Sequence, residues 1–127
     1  PFRGLFDYPI RRNLLYPNVP PPTEVHEVSK HPLFELVDAI EVANGVNSDA
    51  ENDFALEVAG FLGKPSVGGS DAHSTQGLGA CVTVFEENIA SDEQFLEVLK
   101  AGKFLPAVGL NMGAIRRYTL EDRRDIS

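Results

Sequence analysis

The sequence predicts an α/β domain, with mainly parallel strands and flanking helices. Three observations predict it. Short apolar runs at residues 39–43 and 65–71 flank a helical stretch with short links, which is the pattern of a βαβ unit. Both long helical stretches carry a start and a stop: Ser48-Asp49-Ala50-Glu51 ahead of Gly63, and Ser91-Asp92-Glu93-Gln94 ahead of Gly102. A third strand at residues 80–85 and a fourth at residues 104–108 repeat the alternation of strand and helix.

Residues 1–22 read as irregular. Phe2, Leu5, Phe6, Tyr8 and Ile10 are core anchors, while Gly4 and Pro9 break any regular element, and the proline run to Pro22 is expected to be extended and exposed. Arg3, Arg11 and Arg12 are the only basic residues before Lys30. Arg11 and Arg12 read as solvated. His26 and His31 precede a short helix whose first turn holds Pro32 and whose apolar side is Leu33, Phe34 and Val37. Neither histidine has a partner at a metal-binding spacing, so both read as surface residues.

The first strand ends in Asn44-Gly45, which places Asn44 at its C-terminal end. In parallel α/β architectures that end carries the ligand site. Glu41 lies inside the strand and requires a partner if it is buried, for which a structural salt bridge is the expectation. In the helix that follows, Glu51, Phe54, Ala55, Val58, Ala59 and Leu62 share one face. Cys81, in the third strand, has no basic neighbour in the sequence and reads as a small buried hydrophobe. The second long helix turns Phe95, Leu96, Val98 and Leu99 inward. From Asn111 the pattern fades, and Arg116, Arg117, Arg123 and Arg124 alternate with Glu121, Asp122 and Asp125 in a tail or short exposed helix. The expected division is a domain over residues 1–110 and a tail over residues 111–127.

Composition bounds the function. Hydrophobic residues are 43% and charged residues 24% of 127, as in an ordinary globular domain. A net charge of -8 with 11 Lys plus Arg argues against a general nucleic-acid surface. One cysteine permits no internal disulfide, and a cytoplasmic setting is the expectation. No apolar run approaches a membrane span. The opening Pro1-Phe2-Arg3-Gly4 has neither an initiator Met nor a signal-peptide pattern and reads as a piece of something longer.

The chemistry concentrates in Pro65-Ser66-Val67-Gly68-Gly69-Ser70-Asp71-Ala72-His73-Ser74. It reads as a short buried strand running into a loop. An extended Asp-x-His sets both side chains on one side of the chain. A carboxylate oxygen and an imidazole nitrogen so placed suit a divalent metal of intermediate softness. The same pair also suits a hydrogen-bonded turn, and two ligands do not close a metal site.

Glu41-Val42-Ala43-Asn44-Gly45, a helix, Leu62-Gly63-Lys64-Pro65, Gly69-Ser70-Asp71-Ala72-His73-Ser74, Leu78-Gly79 and a strand bearing Thr83 together resemble the C-terminal part of the PHP family. These are the polymerase and histidinol phosphatase-type metal-dependent phosphoesterases. The opening Pro1-Phe2-Arg3 resembles the residues after that family's Ala-His-Pro motif. The resemblance covers residues 1–4 and 38–108. It implies part of a distorted (β/α)7 barrel with up to three divalent metals (zinc, manganese or iron) at the strands' C-terminal ends. It implies Asp71 and His73 as metal ligands and puts Arg3 and Asn44 near the cleft, where a substrate phosphate would bind.

The family's opening His-x-His, its middle His and Glu ligands and the His of Ala-His-Pro have no counterpart here, so the chain is expected to hold only part of the site. The expected partners are a small phosphorylated substrate or nucleotide, and either the missing half of the barrel or a second copy. In the chemistry so implied, Asp71 holds a metal and accepts a proton from the attacking water. Two rivals remain: a catalytically inactive PHP-like structural or regulatory module, and an unrelated α/β domain whose Asp-x-His is only a turn.

Overall fold

The structure is a computed structural model, and it describes residues 1–7 and 13–124. The expectations for Tyr8, Ile10, Arg11, Arg12 and Asp125 fall outside those residues. In chain order the elements are α1 (Val25–Val28), β1 (Ile40–Asn44), α2 (Asp49–Leu62), β2 (Ser66–Gly69), β3 (Cys81–Phe85), α3 (Asp92–Ala101), β4 (Phe104–Val108), β5 (Arg116–Arg117) and α4 (Leu120–Arg124), with short 3-10 turns between them.

The βαβ unit forms as the sequence predicts. Ser48 Oγ accepts the Glu51 N–H while Glu51 reaches back to the Ser48 N–H, and a left-handed Gly63 stops α2. β1 and β2 pair in parallel, Ile40 opposite Ser66 and Asn44 opposite Gly69. The register slips between Glu41 and Ala43, which marks a bulge in β1. β2 is only half-buried, unlike the buried strand expected.

The remaining strands depart from the mainly parallel expectation. β3, β4 and β5 form an antiparallel sheet with β4 in the middle. A parallel crossover needs a helix that buries a stripe on the sheet. Along α3 only Val98 is buried; Leu96 is exposed against expectation, and Phe95 is 40% exposed although its ring meets Phe85 edge-on at 5.7 Å. Its cap is also half of the expected box: Ser91 accepts the Gln94 N–H, but the Gln94 side chain bonds Ala90 and Asn88. Among the described residues, one side chain supplies the hydrogen bonds between the two sheets. Thr83 Oγ1 accepts the Gly68 N–H at 3.0 Å and donates to the Gly68 carbonyl at 2.8 Å. No closed barrel is present among the described residues.

The core lies between α2 and the outer side of β1. Phe2, Leu5, Val28, Phe34, Val42, Phe54 and Val58 meet there, with Phe2 edge-on to Phe54 at 5.1 Å. Phe6 is half-exposed but still stacks edge-on against Phe54 at 5.5 Å. His26 sits inside α1 rather than before a helix, exposed and paired with Glu27. His31 is half-buried and structural: its Nδ1 accepts the Leu33 N–H, so its Nε2 donates to the Leu15 carbonyl. Between Asn111 and Arg124 the chain is tied down. Tyr118 is buried, its hydroxyl donates to Asp53, and Arg123 pairs with the same carboxylate while lying 5.5 Å from the Tyr118 ring centre. No helix among the described residues is long and apolar enough to cross a membrane.

Candidate functional site

The C-terminal ends of β1 and β2 open into a cleft of about 1300 Å³. Arg3, Asn44, Asp71 and His73, the four residues that the sequence and the resemblance point to, all line it. They come together because two loops approach closely. A Cβ on Gly45 would lie 2.4 Å from the Ser70 carbonyl oxygen, so only glycine lets the end of β1 touch the loop after β2. The Gly45 N–H donates to the Gly69 carbonyl at 3.1 Å and continues the pairing past the strand.

Asp71 holds a left-handed backbone, φ 48°. Such a conformation is uncommon outside glycine and concentrates at functional positions. Its Oδ2 accepts from Arg3 Nη2 in a close ion pair and from Asn44 Nδ2 at 3.3 Å. The Arg3 guanidinium first, then the Asn44 amide, hold the Asp71 carboxyl below the usual carboxylate range. Its Oδ1 takes no hydrogen bond among the described residues. His73 Nδ1 lies 2.8 Å from the Asp71 carbonyl. A carbonyl can only accept, so Nδ1 carries a proton, and Nε2 is the ring nitrogen left for a ligand. Metal-ligating histidines are commonly oriented through the other ring nitrogen in this way.

Arg3 is delivered from far along the sequence. Phe2 is sunk in the core, Asn13 Nδ2 donates to the Arg3 carbonyl at 2.9 Å, and Glu51 accepts the Gly4 N–H at 2.6 Å. Its Nε donates to Asn47 Oδ1 at 2.9 Å and its Nη2 also reaches Asn44 Oδ1 at 3.3 Å. Asn44 is held in turn by Asn52 of α2, which accepts its N–H and donates to its carbonyl. Sequence reasoning missed Asn13, Asn47 and Asn52. Each acts across a gap in the chain that no local pattern marks.

Glu41 makes no salt bridge among the described residues, contrary to expectation. It accepts from Asn44 Nδ2 at 3.0 Å and lines the cleft. In a regular strand residues 41 and 44 would face opposite sides, and the bulge between them brings both to the cleft. One guanidinium, Arg3, therefore stands in the cleft against the carboxylates of Glu41, Glu51 and Asp71. Among the described residues no group of three His, Cys, Asp or Glu side chains is placed to hold a metal ion.

Residues 49–104 match the family model described as PHP-associated. The matched stretch runs from α2 to the start of β4, includes Asp71 and His73, and bears out the resemblance to the C-terminal portion of a PHP-family protein. No curated protein and no solved structure matches the chain.

Proposed function

We propose that the chain is the C-terminal part of a PHP-type metal-dependent phosphoesterase, within a distorted (β/α)7 barrel, and that it carries part of the metal site. One observation carries the reading. Asp71 and His73 line one cleft, Asp71 Oδ1 and His73 Nε2 have no hydrogen-bond partner among the described residues, and in that cleft one guanidinium faces three carboxylates. A cleft of that charge repels a phosphate ester unless a cation lies between them.

The donors fit such a cation: an oxygen and an imidazole nitrogen suit zinc, manganese or iron. Two protein ligands fall short of the three a catalytic metal takes, so the remaining ligands come from another part of the protein or a second chain. Divalent ions bound there would lower the pKa of water and neutralise phosphoryl oxygens. Within this chain, Asp71 and His73 are the ligands. The grip of Arg3 weakens the proton affinity of Asp71, which suits a ligand better than a proton acceptor. Arg3 Nη1, which has no hydrogen-bond partner among the described residues, donates to a phosphate oxygen. The substrate is a small phosphate ester or nucleotide.

One observation favours the rival, an inactive PHP-like module: no third ligand joins Asp71 and His73 among the described residues. Metal content by mass spectrometry, after dialysis against Zn²⁺ or Mn²⁺, separates the two. Stoichiometric metal that is lost in Asp71→Asn/His73→Ala, with Mn²⁺-dependent hydrolysis of p-nitrophenyl phosphate, is the result expected of the enzyme. Metal retained equally by the double variant would sink the site assignment. Metal bound without turnover would leave the inactive module.

A further inference from the structure

Glu41 is the one carboxylate of the cleft with no role in the reading above. Glu51 is buried and bonded to the N–H groups of Gly4 and Ser48, and Asp71 is paired with Arg3. Glu41 makes no salt bridge among the described residues, and its one hydrogen bond there comes from Asn44. Its other oxygen lies over Gly69, 2.7 Å from where a Cβ would stand, so the strand leaves room for a carboxylate there.

The amide of Asn44 is fully used. One Nδ2 N–H goes to Glu41 Oε2 at 3.0 Å and the other to Asp71 Oδ2 at 3.3 Å. Its Oδ1 accepts the N–H groups of Val46 and Asn47 at 3.0 and 3.2 Å, and Arg3 Nη2 at 3.3 Å. A flipped amide would set oxygen against two carboxylates and NH₂ against three donors, so the orientation is decided. Nothing on Asn44 is left to bind a substrate. With one N–H held by Glu41, the other is aimed at Asp71.

We propose that Glu41 and Asn44 are a positioning pair for Asp71. Glu41 anchors the amide, the amide holds Asp71 Oδ2, and Asp71 Oδ1 is left for a ligand in the cleft that Asp71 lines. The ionised acceptor matters, since hydrogen bonds to a charged group are about twice as strong as neutral ones. The inference rests on the reading of Asp71 as a metal ligand, and it gives Asn44 a structural task where contact with the substrate was expected.

The test is Glu41→Gln, which keeps shape and removes charge, with Glu35→Gln as an exposed carboxylate control. Two quantities are measured: the Asn44 side-chain amide and Asp71 carboxyl carbon resonances in the metal-free chain, and Mn²⁺ affinity by titration calorimetry. In Glu41→Gln one Asn44 amide proton moves upfield, the Asp71 carboxyl signal shifts, and Mn²⁺ binds about tenfold more weakly at an unchanged melting temperature, as for other partners that orient metal ligands. Resonances matching the wild type would overturn the pair, as would Mn²⁺ affinity falling no further than in Glu35→Gln. If the wild type itself binds no Mn²⁺, the phosphoesterase reading fails, and the resonances alone decide the pair.

Discussion

The joint between the two sheets makes a quantitative prediction at Gly68. A Cβ placed there would sit 2.4 Å from the Val82 carbonyl oxygen, 3.1 Å from its carbon and 3.3 Å from the Val82 nitrogen. All three atoms are backbone and cannot rotate away. To reach ordinary contact β2 and β3 must part by about 1 Å, which a close-packed interior resists. The two Thr83 bonds, 3.0 and 2.8 Å long, then stretch past hydrogen-bonding range. Overpacking of this kind costs about 1–3 kcal/mol. Each lost bond adds about 0.5–1.5 kcal/mol. Gly68→Ala is therefore expected to lose about 2–6 kcal/mol in urea unfolding followed by circular dichroism. Thr83→Val, which removes only the bonds, loses less, about 1–3 kcal/mol. The reasoning is refuted if Gly68→Ala costs under about 1 kcal/mol, or no more than Thr83→Val. Because β2 leads directly into Asp71, the same change should also loosen any metal held by Asp71 and His73.

Two further predictions concern buried ionisable groups. The Tyr118 hydroxyl is pushed up by burial first and then by its bond to Asp53. A tyrosine with a raised folded pKa adds stability that is complete below its unfolded value near about pH 10 and is lost as pH rises through the folded value. Urea midpoints should thus fall above about pH 10, and Tyr118→Phe should flatten the fall. An equal slope in both proteins would count against it, Tyr16 being raised in the same direction by burial and Glu27. Cys81 is 6% exposed, and burial, then the charges of Glu41 and Asp49, push its thiol up. It should react with a disulfide reagent only as fast as the chain unfolds; a native rate matching that in denaturant would show that it is accessible.

What the sequence made legible was local. Capping boxes, glycine stops and apolar periodicity are written within a few residues, so β1, α2, β2 and β4 appear where they were expected. Asp71 and His73 stand out in the sequence because they lie two positions apart in one loop, whereas the residues that hold the Asp71 carboxylate, Arg3 and Asn44, lie 68 and 27 positions away. The failures are non-local. Glu41 seemed to call for a salt bridge because a strand without a bulge turns residues 41 and 44 apart, and the slip in register reverses that. The antiparallel sheet was hidden because a strand–helix–strand pattern does not say whether the helix covers a sheet face, and α3 buries only Val98. Tyr118 anchors a segment whose composition is that of a tail, through Asp53, which lies 65 positions earlier in the sequence.

The site also depends on a residue that the sequence assigned only to capping. Glu51 closes the box on Ser48 with Oε2, at 3.0 Å from the Ser48 nitrogen, and its Oε1 takes the Gly4 N–H at 2.6 Å. The start of a helix is already favourable for a carboxylate, because its unpaired N–H groups carry partial positive charge. Here one buried carboxylate satisfies the helix start and the segment that carries Arg3. The next residue, Asn52, grips Asn44 at the end of β1. Helix, strand end and N-terminal segment therefore share their fixings, and Arg3 cannot meet Asp71 unless α2 is formed. Folding of the helix and assembly of the cleft are the same event, which is why a guanidinium and a carboxylate so far apart in the chain can be held in contact at a largely open surface.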